Sequence, residues 1–302
     1  MKTLTHGLLI IPTLLACANA PALTTNLQCV ADTGLFEHNP DNNLGGMDFV
    51  TAGTTGIPSR SRALFKFDVA SALPSNGTVT NVTLLLGVTF ANGFDQNFTV
   101  HRVLRDWGEG TGSGLASGSG LGSAASPGEA TWNARFHPDT LWGQPGGEAD
   151  VDHAGPASAS AAMTFSSLEF SSAELIADIQ TWLENPATNF GWLLKAANEE
   201  PLSASRIFTR EEPSGAPVLT IEYSLPSSPL PPTLVEAIHV GDEFQFAFNG
   251  EPGLAYTVEF TGEPAGTNWT VLTNIPALTG PATIQVLDSL TDSNRFYRAR
   301  TP

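Results

Sequence analysis

The chain has 302 residues, room for two domains, with only 14% charged residues and a formal net charge of −17. It contains no basic run, and acids outnumber Lys and Arg both before residue 226 (22 to 9 over 21–225) and after it (8 to 3), so nucleic acid and anionic membrane surfaces are excluded as partners on electrostatic grounds. A hydrophobic fraction of 41% with 29 Gly and 22 Pro is the composition of turn-rich β structure around a real core, not of a disordered chain.

The chain opens with Lys2 and an apolar run, Leu8 to Ala16, too short to span a membrane and of the length of a signal-peptide core, so residues 1–20 are predicted to direct export. Two processing routes are compatible with the residues. Ala18-Asn19-Ala20 is a small-x-small site that releases a soluble chain from Pro21. Leu14-Leu15-Ala16-Cys17 resembles a lipoprotein box, which would make Cys17 a lipid anchor and the only membrane attachment. Either route predicts a secreted or cell-surface protein. Cys17 and Cys29 are the only cysteines, so no disulfide is expected in the mature chain, and Cys29, in the strand-like Leu27-Gln28-Cys29-Val30-Ala31, reads as a small buried residue.

Between Asp32 and Asp48 lies an oxygen-rich run in which Asp32, Asp41 and Asp48 are candidate metal ligands. Such a run suits a structural Ca²⁺, the one cofactor the sequence suggests, and none is required. The spacing is not that of an EF-hand, and the competing reading is an Asn/Asp turn ending in Gly45-Gly46. Alternating or β-branched runs then predict strands at 63–69, 79–88, 97–103, 163–170, 190–197 and 218–223. One helix is predicted. Ser171 is its N-cap in a capping box with Glu174, Phe170 and Leu175 form a staple, and Leu175, Ile176, Ile179, Trp182 and Leu183 recur on one face until Asn185-Pro186. Trp182 is therefore a core residue. Gly108 to Gly128 is a Gly/Ser-rich surface loop without a phosphate-binding pattern.

Residues 225–232 are a Pro/Ser linker between a domain at 28–224 and a second at 233–302, where runs at 243–248, 256–260, 269–272, 283–286 and 295–298 predict a small immunoglobulin-like sandwich. The fold class is all-β: a jelly-roll β-sandwich with one short helix, followed by that smaller sandwich.

No HExxH, GxSxG, paired CxxC or Walker loop is present, and His38, His101, His137, His153 and His239 do not stand at metal-ligand spacing. His101, within an alternating strand, reads as structural. Paired carboxylates, the minimum for glycoside hydrolysis, cannot be singled out among 30 acids. What remains is a surplus of aromatics, Trp107, Trp132, Trp142 and Trp192 with Phe136, of the kind that stacks on sugar rings when exposed. Trp142, in the loop-like Thr140 to Gly147, is the first candidate for exposure, followed by Trp107 and Trp132. Arg60, Arg62, Arg102 and Arg105 offer cations for an acidic polymer, Arg102 foremost, although the net charge favours a neutral glycan.

Several fragments together resemble the DNRLRE domain, also described as carbohydrate-binding module family 96. They are Ala31-Asp32-Thr33 with Asn42-Asn43-Leu44-Gly45-Gly46; Ser61-Arg62-Ala63-Leu64-Phe65-Lys66-Phe67-Asp68; Val100 to Val103 through Trp107-Gly108-Glu109; Ala130-Thr131-Trp132; and Arg206 to Glu211 through Pro217 to Ile221. The resemblance covers about residues 28–224 and implies a jelly-roll in exported microbial proteins, with polysaccharide binding, alginate included, in some members and no catalysis. The tail resembles fibronectin type III-like modules that act as spacers or adhesion units. The leading expectation is thus an exported, non-catalytic polysaccharide-binding protein. The alternatives are a structural or adhesion protein of the envelope and a polysaccharide-degrading enzyme.

Overall fold

In the computed structural model the described residues are 22–56, 59–91, 96–114, 121–164, 166–199, 202–226, 232–263, 265, 268–289 and 294–301, with the backbone of Leu8–Pro12. Cys17, most of the segment predicted to direct export and residues 227–231 of the predicted linker lie outside them. The chain divides into two compact units, 20–226 and 227–302, the latter joined by residues 1–19.

In chain order, β1 (Leu8–Pro12) belongs to the smaller unit. The larger unit contains β2 (Leu23–Phe36), β3 (Asn42–Asn43), β4 (Phe49–Thr54), β5 (Arg60–Phe67), α1 (Val69–Ala72), β6 (Thr78–Ala91), β7 (Asn97–Arg102), β8 (Ser123–Ala124), β9 (Ala134–Phe136), β10 (Thr140–Leu141), β11 (Ala159–Ala162), β12 (Ser167–Phe170), α2 (Ala173–Glu184), β13 (Trp192–Ala196), β14 (Ser205–Phe208) and β15 (Val218–Ser224). All of its strand pairings are antiparallel, in the order β11-β7-β13-β5-β2-β15-β6-β14-β4, with β12 on β6. Strand β4 also pairs with β5, so the path closes on itself and leaves few free edges.

Two long strands make the corners. The first half of β2 pairs with β15, the second half with β5, and the register shifts between Cys29 and Ala31, where a bulge lets the strand turn from one sheet to the other. Likewise β6 gives successive stretches to β15, β12 and β14. The inner faces hold one core of Phe36, Phe65, Phe67, Phe98, Phe170, Leu84, Leu86, Ile207 and their neighbours. Cys29 is buried there, its thiol pushed well up by desolvation, and so is a packing residue.

Helix α2 closes one end of this core with Leu175, Ile179, Trp182 and Leu183. Its N-cap is Ser172, one residue beyond the expected Ser171. The Ser172 hydroxyl accepts the Leu175 N–H at 2.9 Å and donates to the Ser158 carbonyl at 2.5 Å, a second bond that ties the helix start to β11. Trp182 and Trp192 pack at 4.6 Å between ring centroids.

The smaller unit has β16 (Leu234–Val240), β17 (Glu243–Gly250), β18 (Tyr256–Thr261), β19 (Thr270–Ile275), β20 (Ala282–Ser289) and β21 (Phe296–Arg300) in two sheets, β1-β20-β17-β16 and β19-β18-β21. Its core is Phe246, Phe248, Tyr256, Val258, Ile284 and Val286. The whole is an all-β, sandwich-like structure with one three-turn helix, and no helix among the described residues is long and apolar enough to cross a membrane.

Candidate functional site

The tryptophans proposed as a sugar platform are not on the surface. Trp107, Trp132 and Trp142 are buried together with Leu35, Leu64, Val103 and Leu193 in a second apolar cluster beneath the loops. Trp142, expected to be exposed, is only 6% accessible. Its indole N–H donates to the Thr131 carbonyl at 2.8 Å, and that of Trp107 to the Phe190 carbonyl at 2.9 Å, so the polar atom of each ring is satisfied and burial costs little. Trp132 lies 5.4 Å from both the Arg60 and Arg62 guanidiniums, and a Cβ at Gly146 would stand 2.6 Å from its ring. A loop with glycine there seals the cluster, and loop-like sequence around Trp142 reflects that seal, not exposure.

The arginines fare similarly. Arg60 pairs with Glu37 at 2.6 Å, Arg62 with Glu199 at 2.8 Å, Arg102 with Asp178 at 3.4 Å and Arg105 with Asp152 at 3.7 Å. Arg102 is thus the counter-ion of a buried acid, not a free ligand-binding cation. Asp178 also accepts from the Ser158 hydroxyl and the Trp192 indole, at 2.6 and 2.9 Å, and burial raises its pKa.

Asp32, Asp41 and Asp48 do not converge. Asp48 is exposed, Asp41 accepts from the Asn133 amide at 3.0 Å, and Asp32 is fully buried elsewhere. Among the described residues no group of three or more His, Cys, Asp or Glu is placed to hold a metal, so these three do not form a calcium site together. What Asp32 joins instead is a polar hub made of the fragments that carry the family resemblance. Its carboxylate accepts the Arg210 N–H at 2.9 Å, and Glu109 accepts both the Asp32 N–H and the Arg210 guanidinium, at 2.9 and 2.7 Å. Buried Asn43 donates to Thr33 Oγ1, Glu109 O and Ala130 O and accepts from the Gly45 and Gly112 amides. These residues hold five segments together, 32–33, 43–45, 109–112, 130 and 210, a structural task.

Two surface features remain with the make-up of a ligand site. The first is on β4, β14 and β6. The register sets Arg206 opposite Thr51 on one side and Phe90 on the other, with Phe49 two residues from Thr51 on the same face. The Arg206 guanidinium lies 4.5 Å from the Phe49 ring centroid and 6.0 Å from that of Phe90, which is 53% exposed. The Arg206 guanidinium makes no hydrogen bond or ion pair with the described residues, while five of the other six arginines of this unit hold a carboxylate. A shallow hollow of about 170 Å³ lies here, edged by Thr55, Ser205 and Leu121. The second feature is a cleft of about 490 Å³ among the loops, lined by Asp41, Asn133, His137, Pro138, Leu141 and the edge of Trp142. Leu141 is 61% exposed at its rim.

Sequence reasoning missed Arg206, Phe49 and Phe90. The signal was there in Arg206-Ile207-Phe208, where alternation opposes Arg206 to a buried Ile207, but which strands would flank it is a matter of long-range pairing. No protein-family model and no curated protein matches the chain.

Proposed function

We propose that this is an exported, non-catalytic polysaccharide-binding protein whose binding face is the Phe49–Arg206–Phe90 platform. The observation that carries this is the Arg206 guanidinium, without an ion pair among the described residues, lying 4.5 Å and 6.0 Å from the ring centroids of Phe49 and Phe90 on the side of the sheet away from buried Ile207. An aromatic ring supplies the apolar surface that a sugar face covers, and a guanidinium fixed by stacking offers five donors at low entropic cost to hydroxyl or carboxylate oxygens. Thr51 and Thr55 line the same hollow. The resemblance to carbohydrate-binding modules and the export signal are consistent with this use.

The test is retention of the purified chain on a panel of immobilised neutral and acidic polysaccharides. Selective retention that falls about tenfold or more in Phe90→Ala and in Arg206→Gln is expected, since a loss of about 1.4 kcal/mol is tenfold in affinity. Phe90 and Arg206 lie outside the core, so both variants should keep the parent melting temperature. Retention on none of the polymers, or retention indifferent to both substitutions, overturns the reading.

A further inference from the structure

We infer that the platform and the loop cleft are two subsites on one track, so that a single polysaccharide chain spans both. This rests on the reading of the platform as a glycan site. The two features are joined by the small ribbon β3–β8, in which Asn42 pairs with Ala124 and Asn43 with Ser123. Asp41, at one end of the ribbon, lines the cleft, and its carbonyl accepts the Ala125 N–H at 3.0 Å. The next residue, Asn42, sends its side-chain amide to the Leu121 and Gly122 carbonyls at 2.9 and 3.3 Å, and Leu121 edges the platform hollow. From Asp41 to Leu121 is therefore one peptide step and one side-chain contact, on the order of 10 Å. That is the gap between the nearest edges of the two features, one that a single sugar chain can bridge.

The chemistry of the cleft fits the part. The Asp41–Asn133 pair and His137 give oxygen and nitrogen partners for hydroxyls, and Pro138 with exposed Leu141 at the rim gives apolar surface. Both subsites hang on the same scaffold, because Asn133 N–H donates to the Pro40 carbonyl and Asn43 is pinned in the polar hub. Two weak subsites at fixed spacing act on one chain as a linked pair, and affinity rises steeply once a ligand is long enough to reach both.

The experiment is displacement of the protein from its retaining polysaccharide by fragments of that polymer, graded from one unit upward. The expected result is a half-displacing concentration that falls about 100-fold or more as length grows, then levels off once both subsites are spanned. Leu141→Ser, at an exposed position, should weaken polymer retention about tenfold and flatten this length dependence, as should Phe90→Ala, with melting temperatures unchanged. If the shortest fragments compete as well as the longest, or Leu141→Ser leaves the length dependence intact, the two-subsite track is wrong while the platform reading survives. Absence of retention on every polymer removes both.

Discussion

Asp32 shows how one side chain can set the pH response of the larger unit. Burial pushes its pKa up to about 7, with the charges of Glu211 and Glu109 adding to the effect against the opposing Arg210 N–H. Between about pH 4 and pH 7 the folded chain thus keeps a proton that the unfolded chain has released, and stability falls as pH climbs through that window. His101 works in the opposite sense. Buried against His153 at 5.1 Å, it has its pKa lowered to about 4 by desolvation, so it is neutral when folded and the stability it protects is lost as pH falls from about 6.5 through 4. The two slopes have opposite sign over nearly the same window and largely offset one another, so urea unfolding of the parent chain from pH 4 to 8 should show only a shallow pH dependence. Asp32→Asn, which keeps an acceptor for Arg210, should remove the Asp32 slope, worth at most about 4 kcal/mol at about 1.4 kcal/mol per pH unit, and so unmask the His101 slope as a steeper loss of stability on acidification from about pH 6.5 to 4. A profile that stays as shallow in this variant as in the parent would show that Asp32 does not carry the opposing slope. A second residue-scale expectation concerns Arg102. Its removal as Arg102→Ala strips a buried acid of its counter-ion and should cost about 1–3 kcal/mol, with no change in polysaccharide retention at matched folded fraction.

Among the elements, the strands were legible because their alternation or β-branched content survives in short windows. The runs at 97–103 and 218–223 coincide with β7 and β15 to within a residue. So was α2, whose apolar spacing is helical. The short β3, β8, β9 and β10 were not, since two- or three-residue strands have no period, and their pairing is decided by side chains such as Asn42 and Asn43 reaching loops some 70 to 90 positions away. The tryptophans misled for a related reason: a loop rich in Gly and Pro looks exposed, yet the carbonyls of Thr131 and Phe190, distant in sequence, accept the indole N–H groups of Trp142 and Trp107 and allow their burial. Asn43 is the element-scale test of this. Asn43→Ala removes five hydrogen bonds at once and should destabilise the larger unit by about 3–5 kcal/mol, if each bond contributes about 1 kcal/mol. Amide exchange should report the loss first around 108–112 and 130, the segments Asn43 holds. Uniform loss over all of β2 to β15 would mean that the hub is part of the global folding unit and not a local clasp.

For the whole molecule, the division of charge bears on function. Residues 21–225 carry 22 acids against nine Lys and Arg, and residues 226–302 eight against three, so the platform cation sits in a unit of net −13. At low ionic strength such a unit repels an acidic polymer over tens of ångströms, whereas the stacked guanidinium acts at contact range. Salt therefore distinguishes ligand types. Retention on an acidic polysaccharide should be poor at about 10 mM salt, rise as the Debye length shrinks to about 10 Å near 0.1 M, and fall again when the Arg206 contact is itself screened. Retention on a neutral polysaccharide should be nearly flat over the same range. Because the core of residues 20–226 is continuous and separate from that of the smaller unit, a fragment of residues 22–226 should fold and reproduce the salt profile of the full chain. If the fragment folds with the parent melting transition but is not retained, recognition depends on the C-terminal sandwich, where Arg298 lies 4.1 Å from the Trp269 ring, and the search for the binding face moves there.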